Sequence, residues 1–435
     1  MAIASPNTTA NTTSAPSTGQ SYGAPLATVT TLFFMWGFLT CLNDILVPHL
    51  KAIFDLNYTR VMLIQFAFFG AYFIFSIPSA KIIDWMGYQR SMVLGLLTMG
   101  VGAFLFVPAA SVPSYPLFLG ALIVLAAGIT CLQVAANPYV TVLGKPETAS
   151  SRLNLTQAFN SLGTFLAPFF GGLLILSSAP KTADQIRAMA PDAALAYRLH
   201  EAATVKMPYV GLGIALVLLA VAIGSFKLPK IEHAQHKVGE KVNDSIWRHP
   251  NLIFGAIAIF VYVGAEVSIG SFLVNYFAQP EIGGLTEKVA ASFVAFYWGG
   301  AMVGRFIGSA LLQKMKTGGL LGICAICAAA LVAISMLTSG HFAMYSIILV
   351  GFFNSIMFPS IFTLGVAELG PLTGDGSGIM IMAIVGGAII PVAQGWIADH
   401  IGIHHAFFLP VICYVYILFF ALSGSKPNSE RYAKA

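Results

Sequence analysis

Apolar residues run through this chain in stretches of about 20 residues or more, the length at which a helix crosses a bilayer. Twelve such segments can be read, at 25–51, 59–83, 91–110, 115–142, 153–178, 207–226, 249–279, 288–313, 317–338, 342–366, 376–398 and 404–423. A transmembrane β-barrel would show segments of ~10 residues with alternating hydrophobicity instead. The most charged stretch, 227–248 (KLPKIEHAQHKVGEKVNDSIWR), separates the sixth segment from the seventh and reads as a cytoplasmic linker. The pattern predicts an all-α integral membrane protein with twelve transmembrane helices. They form two six-helix bundles, 25–226 and 249–423, between cytoplasmic tails at 1–24 and 424–435. The first tail is Ser/Thr/Asn/Ala-rich, has no charged side chain and lacks the basic start and apolar core of a signal peptide, so it reads as disordered. The Ala-rich, mixed-charge stretch 179–206 predicts a short surface helix.

The two halves repeat. PYVTVLG at 138–144 matches PSIFTLG at 359–365, and Pro168 with Gly172 matches Pro391 with Gly395. These offsets, 221 and 223, bracket the 222 between two carboxylates, Asp44 in the first segment and Glu266 in the seventh. A carboxylate inside a membrane span is costly and usually faces a cavity or a partner. Duplicated bundles with polar groups near their shared axis imply alternating access to a midplane site.

Composition agrees with lipid as the solvent. The chain is 57% hydrophobic and 9% charged, against roughly 25% charged for a soluble domain. The net charge of +5 resides mainly in short loops, with no basic helix, so nucleic acid is not an expected partner; the lipid bilayer is. Lys and Arg concentrate in loops on the side of the N-terminus (Lys81, Arg90, Lys145, Arg152, Lys314, Lys316), which predicts both termini in the cytoplasm and a multi-pass protein of the cell's inner (plasma) membrane. Cys324 and Cys327 form a CxxC inside an apolar run and read as packing residues.

Asp44 has no basic residue at helical spacing in its own segment and is the principal candidate for cation coupling, with Glu266 second. Gln133, Asn137, Gln157 and Asn160 in segments four and five offer amide donors and acceptors together, which suits vicinal hydroxyls; interhelical hydrogen bonding is the competing role, strongest at Asn137 before Pro138. Asn275, Asn354 and Gln394 are similar candidates in the second half, and Trp298, Tyr297 and Phe358 are candidates for stacking on the apolar face of a solute. No phosphate-binding loop, metal-ligand spacing or catalytic constellation is present, so neither an enzyme nor a cofactor is expected.

The loop Asp84-Trp85-Met86-Gly87-Tyr88-Gln89-Arg90 resembles the D-R-x-G-R loop signature of the major facilitator superfamily, with Trp85 where that family has Arg and Ala80 where it has Gly. The second half keeps Gly304, Arg305 and Gly308. The longer stretches CLNDILVPHL, LQVAANPYVTVLGKPETASSRLNLTQAFNSLGT, YVGAEVSIGSFLVNYF and FNSIMFPSIFTLG are similar to the fucose–galactose–glucose symporter branch, above all to its bacterial glucose/galactose transporters. The resemblance implies a secondary transporter importing a neutral hexose, glucose or galactose first, as a monomer. It also implies coupling through Asp44 and gating by Asp84, Gly87, Arg90 and Arg305. In the fucose symporter a second coupling carboxylate stands where this chain has Gln133, so a two-carboxylate relay within the first half is not available here. The proton is the favoured coupling ion; sodium near Asp44, an uncoupled uniporter, and fucose, mannose or N-acetylglucosamine as substrate stay open. A non-transporting sugar receptor is disfavoured, because the linker and tails leave no large cytoplasmic domain.

Overall fold

The computed structural model describes residues 22–54, 58–112, 114–174, 181, 185–186, 188–229, 231 and 244–427, with the side chains at 42–63, 65, 169–174, 201–205 and 287 outside that description. The first half holds α1 (Gly23–Phe54), α2 (Tyr58–Met86), α3 (Tyr88–Ser111), α4 (Tyr115–Val142), α5 (Ala149–Leu174) and α6 (Pro191–Ser225). The second holds α7 (Pro250–Ala278), α8 (Glu287–Leu311), α9 (Thr317–Leu337), α10 (Gly340–Gly365), α11 (Gly370–Ile401) and α12 (Ile403–Gly424). Among the described residues, eleven of these are long and apolar enough to cross a membrane. The twelfth, α5, carries Asn154, Gln157, Asn160, Ser161 and Thr164, and that polar face dilutes its hydropathy. The short helix expected within 179–206 is the start of α6, which runs unbroken from Pro191 into the span.

Packing repeats between the halves. In the first, α1 lies on α5, α3 on α4 and α6, and α2 on α4; in the second, α7 lies on α11, α9 on α10 and α12, and α8 on α10. Across the bundles α2 meets α11 and α5 meets α8, and a shift of six helices turns each pair into the other. The outer surface is apolar, with Phe73, Ile74, Val101, Leu218, Phe342 and Val415 all exposed, as a surface facing lipid requires.

Prolines inside α4 and α10 make matching gaps in the backbone bonding. Pro138 has no N–H for the Val134 carbonyl one turn back, and Ser377 Oγ of α11 donates to that carbonyl at 2.8 Å. Pro359 likewise frees the Ser355 carbonyl, which accepts from Arg305 Nε of α8 at 3.3 Å. Here α10 is broken into Gly340–Asn354 and Met357–Gly365. Each gap is filled from another helix, so an unpaired carbonyl in lipid is avoided.

The loop between α2 and α3 turns at Gly87, whose φ of 82° suits glycine. Gln89 Nε2 donates to the Ile223 and Phe226 carbonyls at 2.8 and 2.6 Å and so caps the end of α6. Asp84 is buried beside Gly374, in the first turn of the helix Thr373–Met382, where a carboxylate is stabilised by the helix dipole. Lys81 Nζ lies 2.7 Å from Asp375 Oδ1 of α11 and 3.8 Å from Asp84 Oδ2, joining the bundles at this face. Arg90 is exposed.

Backbones pack closely between α1 and α5. A Cβ on Gly37 would run into the Asn160 carbonyl, and one on Gly163 into the Phe34 carbonyl. Gly163→Val is therefore expected to destabilise the protein by about 1–3 kcal/mol or more through overpacking against backbone. Gly211→Ala, into open space, is expected to change little. Thermal unfolding of the purified variants in detergent checks the contrast.

Candidate functional site

A cavity of about 210 Å³ lies between the bundles. It is small beside the roughly 300–1,000 Å³ of pockets for drug-sized ligands, so it suits a small solute. The first bundle lines it with Trp36, Phe68, Phe69, Tyr72, Gln133, Gln157 and Asn160. The second contributes Tyr262, Val263, Glu266, Arg305, Phe358, Pro359 and Ile384.

The amides of the first bundle are held by their nitrogens. Gln133 Nε2 donates to Tyr72 Oη at 2.7 Å, Asn160 Nδ2 donates to the Phe33 carbonyl at 2.9 Å, and Gln157 Nε2 lies 3.4 Å from Asn137 Oδ1. Anchoring the donor end leaves the amide oxygens of Gln133, Gln157 and Asn160 as acceptors for a ligand with hydroxyl groups. Trp36, Tyr72 and Phe358 add ring faces on which an apolar edge of that ligand can lie.

The wall from the second bundle is different. Tyr262 Oη donates to Glu266 Oε1 at 2.8 Å and reaches the Asn354 carbonyl at 3.1 Å. Asn354 is fully buried behind this pair: its Nδ2 donates to Tyr297 Oη at 2.9 Å, and its Oδ1 accepts from Tyr414 Oη at 2.8 Å. Tyr297 Oη in turn reaches the Glu266 backbone carbonyl at 3.3 Å. The network fixes Glu266 from side chain and backbone alike. Arg305 shares this wall with Glu266, so the second bundle brings a guanidinium and a carboxyl group to the same cavity.

The structure thus brings Gln133, Gln157, Asn160 and Glu266 together at one cavity. Asn137 sits one layer behind Gln157, fully buried, and Asn354 one layer behind Glu266. Asn275 is exposed, and Trp298 is 44% exposed and edge-on to Tyr297; neither lines the cavity. Gln394 is fully buried and does not line it either. Parallel contacts of Gly264 with Ile390 and of Phe272 with Gly395 place it at the seam of α7 and α11. Arg305 was expected at a gating loop with Asp84 and Arg90, but it lies nearly two turns before the end of α8 and faces the cavity. Asp44 belongs to α1, in the part whose side chains lie outside the described residues. Sequence reasoning passed over Trp36, Tyr72 and Tyr262. Tyr262 carried a signal, since it precedes Glu266 by four residues and a helix puts such pairs side by side.

Two bundles related by a pseudo-twofold repeat, apolar outside and enclosing a polar cavity, make a membrane solute carrier rather than an enzyme. The chain belongs to the Major Facilitator Superfamily, whose model matches residues 26–384. It is 54% identical over 410 residues to a glucose/galactose transporter of Brucella abortus, covering 94% of this chain and 96% of that one. It is 48% identical over 410 residues to a putative glucose/galactose transporter of Helicobacter pylori, covering 93% and 98%. Among solved structures, the E. coli fucose:proton symporter FucP superposes with a TM-score of 0.87 at 35% identity, covering 94% of this chain and 100% of that one.

Asn354→Ala is expected to strand the hydroxyl of Tyr414 and to take one of two partners from Tyr297, which keeps the Glu266 carbonyl, at about 1–3 kcal/mol for the buried group left unpaired. Asn275→Ala, at an exposed position, is expected to stay within about 0.5 kcal/mol of the parent protein. Chemical or thermal unfolding in detergent separates the two.

Proposed function

We propose that this protein imports a neutral hexose, glucose or galactose, by alternating access, driven by a cation that couples through Asp44. The observation that carries the reading is the cavity itself. It offers amide oxygens and aromatic faces from one bundle and a carboxyl group with a guanidinium from the other, hydrogen-bonding groups suited to the hydroxyls of a small polyol. Relatives named glucose/galactose transporter support the hexose, and the similarity to a fucose:proton symporter supports the proton as coupling ion. Glu266 is the second ionisable group of the coupling machinery; Gln133 cannot titrate. The face bearing the α2–α3 and α4–α5 loops is cytoplasmic in this reading, because Lys81, Arg90, Lys145 and Arg152 lie there. Asp84, Gly87 and Lys81 act at the inner gate, where α2 meets α11. The protein works as a monomer in a bacterial inner membrane with both termini inside.

In proteoliposomes, glucose or galactose is expected to accumulate under an inward proton gradient, to alkalinise a lightly buffered exterior, and to stop accumulating with a protonophore. Dependence on sodium at fixed pH without proton movement would reassign the ion. Preferential uptake of fucose, the substrate in the name of the FucP structure, would reassign the sugar. Asp44→Asn is expected to abolish accumulation while sugar exchange persists; concentrative uptake at the parent level would remove Asp44 from the coupling role.

Gln157→Ala and Asn160→Ala are expected to weaken sugar binding by about 5- to 150-fold, the equivalent of ~1–3 kcal/mol for a lost buried hydrogen bond. Gln133→Glu is expected to change the pH profile of transport. The same measurements on Asn275→Ala and Trp298→Ala, which lie off the cavity, should match the parent protein.

A further inference from the structure

One corner of the cavity is apolar, and a contact between the bundles builds it. Two adjacent glycines, Gly386 and Gly387, follow the short turn Ala383–Val385 inside α11. Glycine weakens a helix, and a pair of them within a span marks a close approach by another segment. Here there are two approaches. A Cβ on Gly386 would run into the Phe260 carbonyl, so the backbone of α11 lies against that of α7 at this point. A Cβ on Gly387 would stand 2.8 and 2.9 Å from Phe69 Cε1 and Cζ, and 3.1 Å from Val263 Cγ1. The ring of Phe69, carried by α2 of the first bundle, reaches across the divide and rests on the bare backbone of the second.

Neither side of this contact has room to give. Phe69 stands edge-on to Phe68 with ring centroids 5.6 Å apart and lies 6.5 Å from Tyr72, within the range of aromatic packing. Tyr72 is held in turn by Gln133 Nε2 at 2.7 Å. Behind Gly387, α11 is stopped by α7 at Gly386. The open space beside Phe69 is the cavity it lines, so a side chain at position 387 would drive the ring inward. Phe68, Val263 and Ile384 continue the same lining, and none of these side chains carries a hydrogen-bond donor or acceptor. A solute whose polar substituent reached this corner would lose that group's water, gain no partner and meet a ring that cannot withdraw.

We propose that Phe69, seated on Gly387, sets the size limit of the cavity, so that an unsubstituted hexose is admitted and one carrying an acetamido group is refused. This role rests on the hexose reading above. The test uses reconstituted protein, with uptake of labelled glucose or galactose measured against N-acetylglucosamine as competitor. Phe69→Ala is expected to lower the concentration of N-acetylglucosamine needed for half-inhibition by about tenfold, the low end of what the wall of a pocket discriminates, with Phe69→Leu in between. Gly387→Ala is expected to weaken the apparent affinity for the hexose by about tenfold, because Phe69 is pressed into the cavity, and Phe69→Leu in the same chain is expected to restore it. A side chain at 387 that merely strained α11 would gain nothing from a smaller residue at 69. Gly70→Ala, beside Phe69 on α2 but directed into open space, is expected to leave both values at the parent level. Unchanged competition in the Phe69 variants that fold overturns the proposal. So does a Gly387→Ala loss that Phe69→Leu leaves in place, or a parent protein inhibited as strongly by N-acetylglucosamine as by unlabelled hexose. A parent protein that carries neither glucose nor galactose overturns the hexose reading instead.

Discussion

A polar group inside a bilayer has no water to fall back on, so one that its own helix cannot satisfy must find its partner on another. That constraint organises this protein. Pro138 and Pro359 each strip a backbone carbonyl of its helical donor at equivalent points of the repeat, and each carbonyl draws in a side chain from a neighbour. At Val134 the neighbour is Ser377 of the opposite bundle; at Ser355 it is Arg305 of the same bundle. A repeat that began as a duplication has thus been used in two ways. One proline site ties the bundles together. The other sets a charged side chain at the edge of the cavity.

The two walls of the cavity diverge for the same reason. On the first bundle, Gln133, Gln157 and Asn160 are anchored through their amide nitrogens and turn acceptors to the interior. On the second, Glu266 and Arg305 bring opposite charges, and three buried tyrosines with Asn354 satisfy what would otherwise be stranded oxygen and nitrogen. A network of this kind is stable only when every member is paired, which makes its geometry rigid. Rigidity on that side and amide acceptors on the other give a small solute a fixed frame to be read against.

Much of this was legible in the sequence. Spans of 20 or more apolar residues, the P-x-[VI]-x-x-L-G repeat and the matched positions of Asp44 and Glu266 gave the bundle architecture and the idea of a central site. The amides of α4 and α5 stood out because polar residues in apolar runs are rare. What hydropathy does not carry is rotation about the helix axis. Asn275 and Trp298 read much like Asn160 and Phe358, but they point elsewhere, and nothing in their own segments distinguishes them. Arg305 reads as a loop residue because it follows Gly304 in a segment that ends in QKMK. Only the position of the helix end at Leu311 shows that it stands well inside the span. Asn354 looked like a binding residue and lies a layer too deep, since the break in α10 turns it toward Tyr297 and Tyr414.

The substitution of Gln133 for the family's acid acquires a physical meaning from these contacts. A carboxylate at that position would need a proton or a cation each time the cavity closed; an amide bonded to Tyr72 needs neither. Among the described cavity residues the ionisable side chains of the second bundle are then Glu266, tied to the break in α10 through Tyr262, and Arg305, bonded to it directly. The charged side chains of the cavity thus stand on the wall facing the one that presents acceptor oxygens, and the solute is read between an uncharged wall and a charged one.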